Sequence, residues 1–278
     1  MTTMSVRGVS LFVKVLGHGY PLLLMHGGPG LDHTSLLALQ PLADQFTLIF
    51  YDHRCNGRSE GADVSSMTWE NLTADAEALR QTLGFDKWAV LGHSFGGHVA
   101  LEYALRYPHS LSHLILMDTG GDQSWMLNSI PQELKKRGFT DAAAQAAVRF
   151  FSGRFRPREF YTLTLRYARA YYYNSSLWAM IRGIRSQYRQ KARPEAALFA
   201  TRHVMPGWTV MDRLGEIKVP TLVMTGRDDF IFPPESQVAL AGGIPNARLR
   251  IIERAGHEAP SERPADVMRA IRSFMEET

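Results

Sequence analysis

The pattern G-x-S-x-G, which can carry a nucleophilic serine, occurs twice in the 278-residue chain. The copy at residues 57–61 lies in polar sequence, whereas the copy at residues 92–96 directly follows an apolar run and opens a helical pattern. A serine on a sharp strand-to-helix turn is held in a strained conformation with its hydroxyl above the sheet. This context predicts that Ser94 is a nucleophile and that Ser59 is a loop residue.

Ten histidines could supply the base that a serine nucleophile needs. His257 lies between the last β-rich run and the last helical pattern, at the sheet edge where open α/β folds place their sites. This position favours His257 as the base. His26 and His93 flank other motif positions and are interpreted as hydrogen-bonding or packing residues. His98, four residues after Ser94, is interpreted as a structural histidine with satisfied ring nitrogens.

The acid that orients the base is expected at a strand end, in the chain order Ser, Asp, His. Asp228 and Asp229 both follow the β-rich run 222–224, and Asp118 follows the run 114–117. A loop can aim any of these carboxylates, and each could instead cap a turn. The residues alone therefore leave three candidates.

The segment H-G-G-P-G at residues 26–30 follows the first apolar run. Its glycines let the backbone approach a ligand and present N–H groups to an oxyanion, and the N–H of Phe95 would be a second donor. A plain glycine turn is the simpler alternative. The segment lacks the Lys-Ser/Thr ending of a phosphate-binding loop and does not match G-x-G-x-x-G.

Composition excludes several classes of protein. The chain is 45% apolar and 21% charged, which a disordered segment would not be. No apolar run is long enough to cross a bilayer, and the first residues do not resemble a secretory signal, so we expect a cytoplasmic protein without a membrane segment. A single cysteine, Cys55, excludes an internal disulfide and a cysteine-based zinc cage. The net charge of +4 is too small to indicate nucleic-acid binding.

Short apolar runs alternate with helical patterns up to residue 119 and again after residue 215. This alternation predicts an α/β fold with a mostly parallel central sheet flanked by helices. Residues 120–212 break the alternation: they are helical in pattern and hold 15 basic but only six acidic residues. We therefore expect a core of residues 1–119 and 213–278 that carries a helical insertion at 120–212.

These motifs together resemble the α/β-hydrolase superfamily over the whole chain. Residues 26–30 resemble the H-G-G-P-G signature of the proline iminopeptidase group and related carboxylesterases, and residues 52–59 resemble its D-x-R-G-x-G-x-S turn, with Cys55 in place of a glycine. The resemblance implies an acid at Asp229, ahead of Asp228 and Asp118, and an oxyanion donor at Gly28, ahead of Gly27. It also implies that residues 120–212 are a cap after the sixth strand, and that no cofactor or metal is required.

Proline iminopeptidases hold a free amino terminus with carboxylates supplied largely by the cap. In this chain the acidic residues of that segment are few, namely Asp122, Glu133, Asp141, Glu159, Glu195 and Asp212. Arginines outnumber them, including Arg149, Arg154, Arg156, Arg158, Arg166 and Arg169. These arginines are interpreted as a solvated helix face, with the steering of anionic substrates as a weaker alternative. The segment is also rich in aromatic residues: Phe150, Phe151, Tyr161, Tyr167, Tyr171, Tyr172, Tyr173, Trp178 and Trp208. They suggest an apolar acyl pocket.

The sequence therefore predicts a serine hydrolase that cleaves esters of small, rather apolar substrates through an acyl-enzyme. The alternatives are a prolyl aminopeptidase, a carbon–carbon-bond hydrolase or a lactonase of the same fold, and, outside enzymes, a ligand-binding or signalling protein that keeps the fold without turnover. Dehalogenase and epoxide-hydrolase chemistry is disfavoured, because those relatives have aspartate where Ser94 stands. The partner is a small-molecule substrate, and the sequence leaves homo-oligomerisation open.

Overall fold

An eight-stranded, mostly parallel sheet forms the centre of the protein in a computed structural model, which describes residues 2–173, 181, 185 and 189–278. Its strands are β1 (Thr2–Val6), β2 (Val9–Leu16), β3 (Tyr20–Met25), β4 (Phe46–Tyr51), β5 (Trp88–His93), β6 (Leu111–Met117), β7 (Thr221–Gly226) and β8 (Ala247–Ile252). Their spatial order is β1-β2-β4-β3-β5-β6-β7-β8. The strands from β4 to β8 in this order pair in parallel, so their carboxyl ends share one edge.

The first two strands are antiparallel to their neighbours and were not predicted from the sequence. They form a hairpin whose turn, Arg7-Gly8, has positive φ at both residues. Along β2 the residues alternate between buried and partly exposed, whereas β3 and β4 are nearly continuous apolar runs. The short, half-polar pattern of β1 and β2 is a weaker signal than the buried runs.

Helices cover both faces of the sheet. They are α1 (Trp69–Thr82), α2 (Phe95–Arg106), α3 (Ser124–Lys136), α4 (Asp141–Phe151), α5 (Phe160–Tyr167), α6 (Pro194–Phe199), α7 (Pro234–Gly243), α8 (Ala259–Glu262) and α9 (Pro264–Glu277). One core contains apolar residues of α1 and α2, and the other contains residues of α9 and of the 3-10 helix His33–Asp44. Burial on both faces explains the continuous apolar runs of the central strands.

Residues 120–212, called here the cap segment, leave the sheet after β6 and return before β7. A β-bridge joins Asp122 to Thr209, and the N–H of Val210 donates to the carbonyl of Gly121 over 2.8 Å, so the two ends of the segment lie side by side. Its described residues contain helices α3 to α6, shorter helical turns and no strand. This confirms the predicted fold class, with a helical insertion after the sixth strand.

None of the helices in the described parts of the chain is both long enough and apolar enough to cross a bilayer.

Candidate active site

Ser94 occupies the turn between β5 and α2. Its φ is +52°, a conformation that side-chain-bearing residues rarely adopt and that costs on the order of 1–3 kcal/mol. A Cβ atom at Gly96 would overlap the carbonyl oxygen of Met25, and one at Gly92 would overlap that of Gly96. The turn can close this tightly because both flanking positions are glycine. The half-buried Ser94 then lines a cavity above the sheet edge.

His257 lies on the loop between β8 and α8 and reaches both other members of the predicted triad. Its Nε2 is 3.0 Å from Ser94 Oγ, and its Nδ1 is 2.8 Å from Asp229 Oδ2. The other oxygen of Asp229 accepts hydrogen bonds from the N–H groups of Ile231 and Phe232, at 2.8 and 3.1 Å. These bonds hold the carboxylate in place, so that Nδ1–H of His257 donates to it and Nε2 is left to accept the serine proton.

The three acid candidates have different surroundings. Asp229 alone contacts His257; Asp228 is half-buried on the same loop and makes no hydrogen bond to the ring. Asp118 is buried, and its Oδ1 accepts a hydrogen bond from the N–H of Gly226 over 2.8 Å. Asp118 therefore fixes the end of β7, the strand that leads into the Asp229 loop.

Charge in this cluster is distributed unevenly. Burial lowers the pKa of His257, but the charge and hydrogen bond of Asp229, with the charges of Asp118 and Glu258, raise it to about 9. Burial, and then the charge of Asp229, raise the pKa of Asp118 well above its ordinary value. The Asp118 carboxyl therefore resists ionisation, because it is buried beside a second carboxylate, that of Asp229.

The H-G-G-P-G loop lies against the serine. A Cβ atom at Gly27 would come within 2.9 Å of the Ser94 Cβ, and Gly28 has a φ of +62°. Among the described residues, the backbone N–H groups of Gly27, Gly28 and Phe95 have no acceptor. All three residues line the same cavity as Ser94. Unpaired N–H groups that surround a nucleophile can stabilise a developing oxyanion.

Neighbouring loops hold this glycine segment in place. The amide oxygen of Asn56 accepts the N–H of Gly30. The His26 ring nitrogen Nδ1 lies 2.9 Å from the Gly27 carbonyl, and its Nε2 accepts the N–H of His53. Asn56 was not among the predicted site residues, although it lies in the turn that carries the D-x-R-G-x-G-x-S resemblance.

The cavity and its open mouth enclose about 1080 Å³. Its walls are mostly apolar and aromatic: Leu31, Phe95, Met126, Phe150, Phe151, Phe160, Tyr161, Tyr171, Tyr172, Met205, Ile231 and Phe232. Both the core and the cap segment contribute to them. Tyr167 and Trp208 are instead buried outside the lining, Tyr173 is exposed, and Trp178 lies outside the described residues.

The family model described as alpha/beta hydrolase fold matches residues 20–264, most of the chain. The chain belongs to the α/β-hydrolase family. It is therefore a hydrolase by family, and the resemblance to proline iminopeptidases is confirmed. It is 27% identical to a proline iminopeptidase from Thermoplasma volcanium, over 98% of this chain and 95% of the relative.

Other relatives of this hydrolase have different printed activities. A 2-hydroxy-6-oxo-6-phenylhexa-2,4-dienoate hydrolase from Burkholderia cepacia is 27% identical, over 94% of this chain and 90% of the relative. A thermophilic esterase from Thermogutta terrifontis, solved with malate bound, is 28% identical and superimposes with a TM-score of 0.72, over 99% and 98% of the two chains. The relatives therefore agree on the fold and on hydrolysis but not on the substrate.

Three histidines near the hydrolase site were expected to be hydrogen-bonded or packed. His26 has partners on both ring nitrogens, and His93 Nε2 lies 3.0 Å from the carbonyl oxygen of His257. The expectation for His98 is wrong: it is buried, but neither ring nitrogen has a partner among the described residues. Its ring packs against Trp208, with centroids 4.6 Å apart, and burial lowers its pKa to about 3. His98 is thus a neutral aromatic packing residue.

The serine of the second G-x-S-x-G copy forms structural hydrogen bonds in the hydrolase. Ser59 is buried in the loop that follows β4, where its hydroxyl donates to the carbonyl of Asp52 over 2.6 Å and accepts the N–H of Phe12. It lies outside the lining of the Ser94 cavity. Its contacts agree with its interpretation as a loop residue.

The charged residues that the structure describes in the cap segment do not line the cavity. All six arginines named in the sequence analysis are exposed, which agrees with a solvated helix face. None of the six acidic residues of the segment is among the described residues that line the cavity. The described part of the segment therefore contributes a mostly apolar, uncharged wall to the cavity.

One carboxylate that was not predicted from the sequence, that of Glu258, lines the cavity. Glu258, directly after His257, is half-buried, and its side chain makes no hydrogen bond to any described residue. Burial raises its pKa, to about 7, although the charge of His257 lowers it. Its only sequence signal was its position next to the predicted base. Nowhere in the described chain do three or more histidine, cysteine or acidic side chains cluster as a metal site would require.

Proposed function

We propose that the protein is a carboxylesterase that cleaves ester bonds of small, rather apolar substrates through an acyl-enzyme. The observation that carries this proposal is the apolar cavity that contains Ser94 and is lined by no arginine, lysine or cap carboxylate among the described residues. Such a lining favours binding of a hydrocarbon or aromatic acyl group over an anionic one, because a negative charge would lose its hydration without gaining a partner. We further propose that residues 120–212 form a cap domain over the core of residues 1–119 and 213–278.

In the acylation step, Ser94 Oγ attacks the ester carbonyl while His257 Nε2 takes its proton, across the present separation of 3.0 Å. Asp229 holds the ring in the tautomer that has Nδ1–H and stabilises the imidazolium that forms. The N–H groups of Gly28 and Phe95, which are unpaired among the described residues, donate to the oxyanion.

His257 then returns its proton to the alcohol, which leaves, and an acyl ester on Ser94 remains. In the second half of the reaction His257 takes a proton from a water molecule that attacks this acyl ester. The carboxylic acid is released when Ser94 Oγ regains its proton. Apart from the substrate and the attacking water, every group that acts in these reaction steps is a side chain or a backbone N–H of the chain itself.

The direct test is labelling with a fluorophosphonate, which forms a covalent bond with an activated serine, followed by a substrate panel. We expect one label, on Ser94, and hydrolysis of p-nitrophenyl acetate and butyrate. Ser94→Ala should reduce kcat by at least about 10³-fold. Ser59→Ala is the matched control and should keep kcat within a few-fold. A folded protein that leaves Ser94 unlabelled and hydrolyses none of the esters would refute the proposal.

The carboxylate of Glu258, which has no hydrogen-bond partner among the described residues, supports a second candidate. This is an aminopeptidase that removes N-terminal proline, in line with the name proline iminopeptidase printed for the Thermoplasma volcanium relative. An unpaired carboxylate in an apolar cavity is a receptor for a cationic amine, since the pair exchanges hydration for a charge-assisted hydrogen bond. Glu258 comes from the core, so this candidate does not need carboxylates from the cap segment.

The two candidates are separated by comparing p-nitrophenyl butyrate with proline-β-naphthylamide, and the wild type with Glu258→Gln. If the enzyme is an esterase for apolar substrates, the ester is the better substrate and the substitution changes its kcat/KM by less than about threefold. If it is an aminopeptidase, proline-β-naphthylamide is the better substrate and Glu258→Gln raises its KM by at least about tenfold, the cost of about one charged hydrogen bond. A lactone and a vinylogous 1,5-diketone in the same panel test the lactonase and carbon–carbon-bond alternatives.

A further inference from the structure

A single arginine of the cap segment joins that segment to the loop that carries Asp229. Arg137 directly follows α3 and is partly buried. Its NH1 donates to the carbonyl of Ala170 over 2.6 Å and to the carbonyl of Asp228 over 3.2 Å, and its NH2 donates to the carbonyl of Tyr172. One guanidinium group therefore connects the end of α3, residues 170–172 and the residue before Asp229.

The residues that Arg137 holds also lie against the His257 loop. The carbonyl of Tyr171 accepts the N–H of Glu258 over 3.1 Å, and the N–H of Tyr173 donates to Glu262 Oε1 over 2.9 Å. The other oxygen of Glu262 accepts the N–H of Gly256 over 2.7 Å. We call residues 170–173 the strap. It spans the space between the loop with the acid and the loop with the base.

The strap packs closely against the loop that carries His257. A Cβ atom at Gly256 would lie 2.6 Å from the Tyr171 carbonyl oxygen, and the rings of Tyr171 and His257 are 5.5 Å apart at their centroids. A shift of the strap would therefore move His257 or open a gap beside it. Because Arg137 also donates a hydrogen bond to the carbonyl of Asp228, it links the position of the acid, Asp229, to that of the base, His257.

Arg137 forms no direct ion pair with a carboxylate of the described residues. Its described hydrogen-bond acceptors are carbonyl groups, while the carboxylates that face it are those of Asp228, Asp229, Glu262 and Glu133. Burial lowers the pKa of Arg137, and these four charges oppose that effect. A guanidinium group stays protonated under such conditions. Its positive field therefore acts on the nearby Asp229.

We propose that Arg137 is a positioning residue for the hydrolytic reaction, which holds the strap and the Asp229 loop in the single arrangement that lets His257 reach Ser94. The inference rests on the proposed function, since it assigns a role within the same reaction. A displacement of about 1 Å between reacting groups can cost on the order of 10²-fold in rate. Arg137 touches neither the substrate cavity nor the reacting atoms, so it acts through the loops that it holds.

The test compares Arg137→Gln and Arg137→Lys with the wild type, on whichever substrate of the panel is hydrolysed best. Arg137→Gln should reduce kcat by about 10- to 100-fold and change KM less than kcat, because Arg137 itself does not line the cavity, although Tyr171 and Tyr172 of the strap do. It should also move the acid limb of the pH profile to higher pH. Removal of a positive charge near Asp229 stabilises the protonated imidazole of His257 and so raises its pKa. The charges of Asp229, Asp118 and Glu258 also raise this pKa, and the neighbouring His93 ring interacts with His257. Arg137→Lys keeps the charge and should restore the limb, but not all of kcat.

Two further variants control the experiment. Arg158→Gln removes an exposed arginine of the cap segment and should change neither kcat nor the pH limb. Glu262→Gln loosens the other end of the strap and removes a negative charge, so it should lower kcat while moving the limb to lower pH. This variant also keeps the proposal testable if Arg137→Gln does not fold, which thermal unfolding will show.

The proposal is overturned if folded Arg137→Gln keeps the kcat and the pH limb of the wild type, or, where that variant does not fold, if Glu262→Gln does so. A shift of KM alone would also overturn it, because it would place Arg137 in substrate binding. Failure of the proposed function is a different result, since the wild type itself would then neither take up the label at Ser94 nor hydrolyse the panel.

Discussion

At Asp229 one carboxylate both orients the ring of His257 and determines its charge. The 2.8 Å contact from Asp229 Oδ2 to Nδ1 favours the imidazolium, and the pKa of His257 rises to about 9 in spite of burial. His257 can accept the Ser94 proton only when it is neutral. We therefore expect kcat/KM to fall as the pH is lowered through about 9, and the limb to lie above the ordinary histidine value of 6.5.

Asp229→Asn should change this pH dependence in a defined direction. The substitution removes the negative charge, so the pKa of His257 falls and the acid limb moves to lower pH. It also favours the wrong tautomer of the ring, which should reduce kcat by about 10⁴-fold. The measurement is the pH profile of kcat/KM between pH 5 and 10. Asp228→Asn, on the same loop, is the control and should keep the limb; an unshifted limb in Asp229→Asn would contradict the assignment of the acid.

The tight strand-turn-helix element that presents Ser94 requires glycine, which has no side chain, at the flanking positions Gly92 and Gly96. Gly96→Ala would force a methyl group against the carbonyl of Met25 in β3, so we expect a loss of about 1–3 kcal/mol in the free energy of unfolding, and a loss of activity as the turn shifts. Gly242→Ala, in α7, meets nothing within 4 Å and should stabilise the protein by about 0.5–1 kcal/mol. Denaturant unfolding of both variants checks the contrast. Equal stabilities would mean that the turn has room to spare.

Across the whole molecule the charge is divided between a basic cap segment and a mildly acidic core, yet the named arginines of the segment point to solvent. Exposed charges are screened by salt and contribute little to events in a cavity that they do not line. The double substitution Arg154→Ser with Arg158→Ser should therefore leave kcat/KM within about twofold for a neutral ester. The same should hold for a carboxylate-bearing ester at low and high ionic strength. A loss confined to the anionic ester at low salt would instead establish electrostatic steering.

Local pattern was sufficient for much of the fold and of the candidate site. The apolar runs at β3 to β7 and the helical patterns of α1, α2, α7 and α9 could be recognised because both faces of the sheet are covered, which makes the central strands nearly continuously apolar. The strand-serine-helix context of Ser94 and the loop position of His257 likewise depend on sequence neighbours alone. The hairpin of β1 and β2 was not predicted, because its strands are short and their alternation of apolar and polar residues is a weak signal.

What the sequence by itself determined was the kind of protein: an α/β fold with a helical insertion, and the residue types of a serine hydrolase. Tertiary structure decided what depends on contacts between distant segments. It put Asp229, which the family resemblance favoured but the residues alone did not distinguish from Asp228 and Asp118, against His257. Among the described residues it left His98 without a hydrogen-bond partner and placed the Glu258 carboxylate at the cavity wall. It also brought Arg137 to the acid loop, 91 residues away in the chain. Each of these outcomes depends on which loops meet at the carboxyl edge of the sheet. The residues in those loops are far apart in the chain, so whether they come within hydrogen-bond distance is decided by folding and not by their spacing in the sequence.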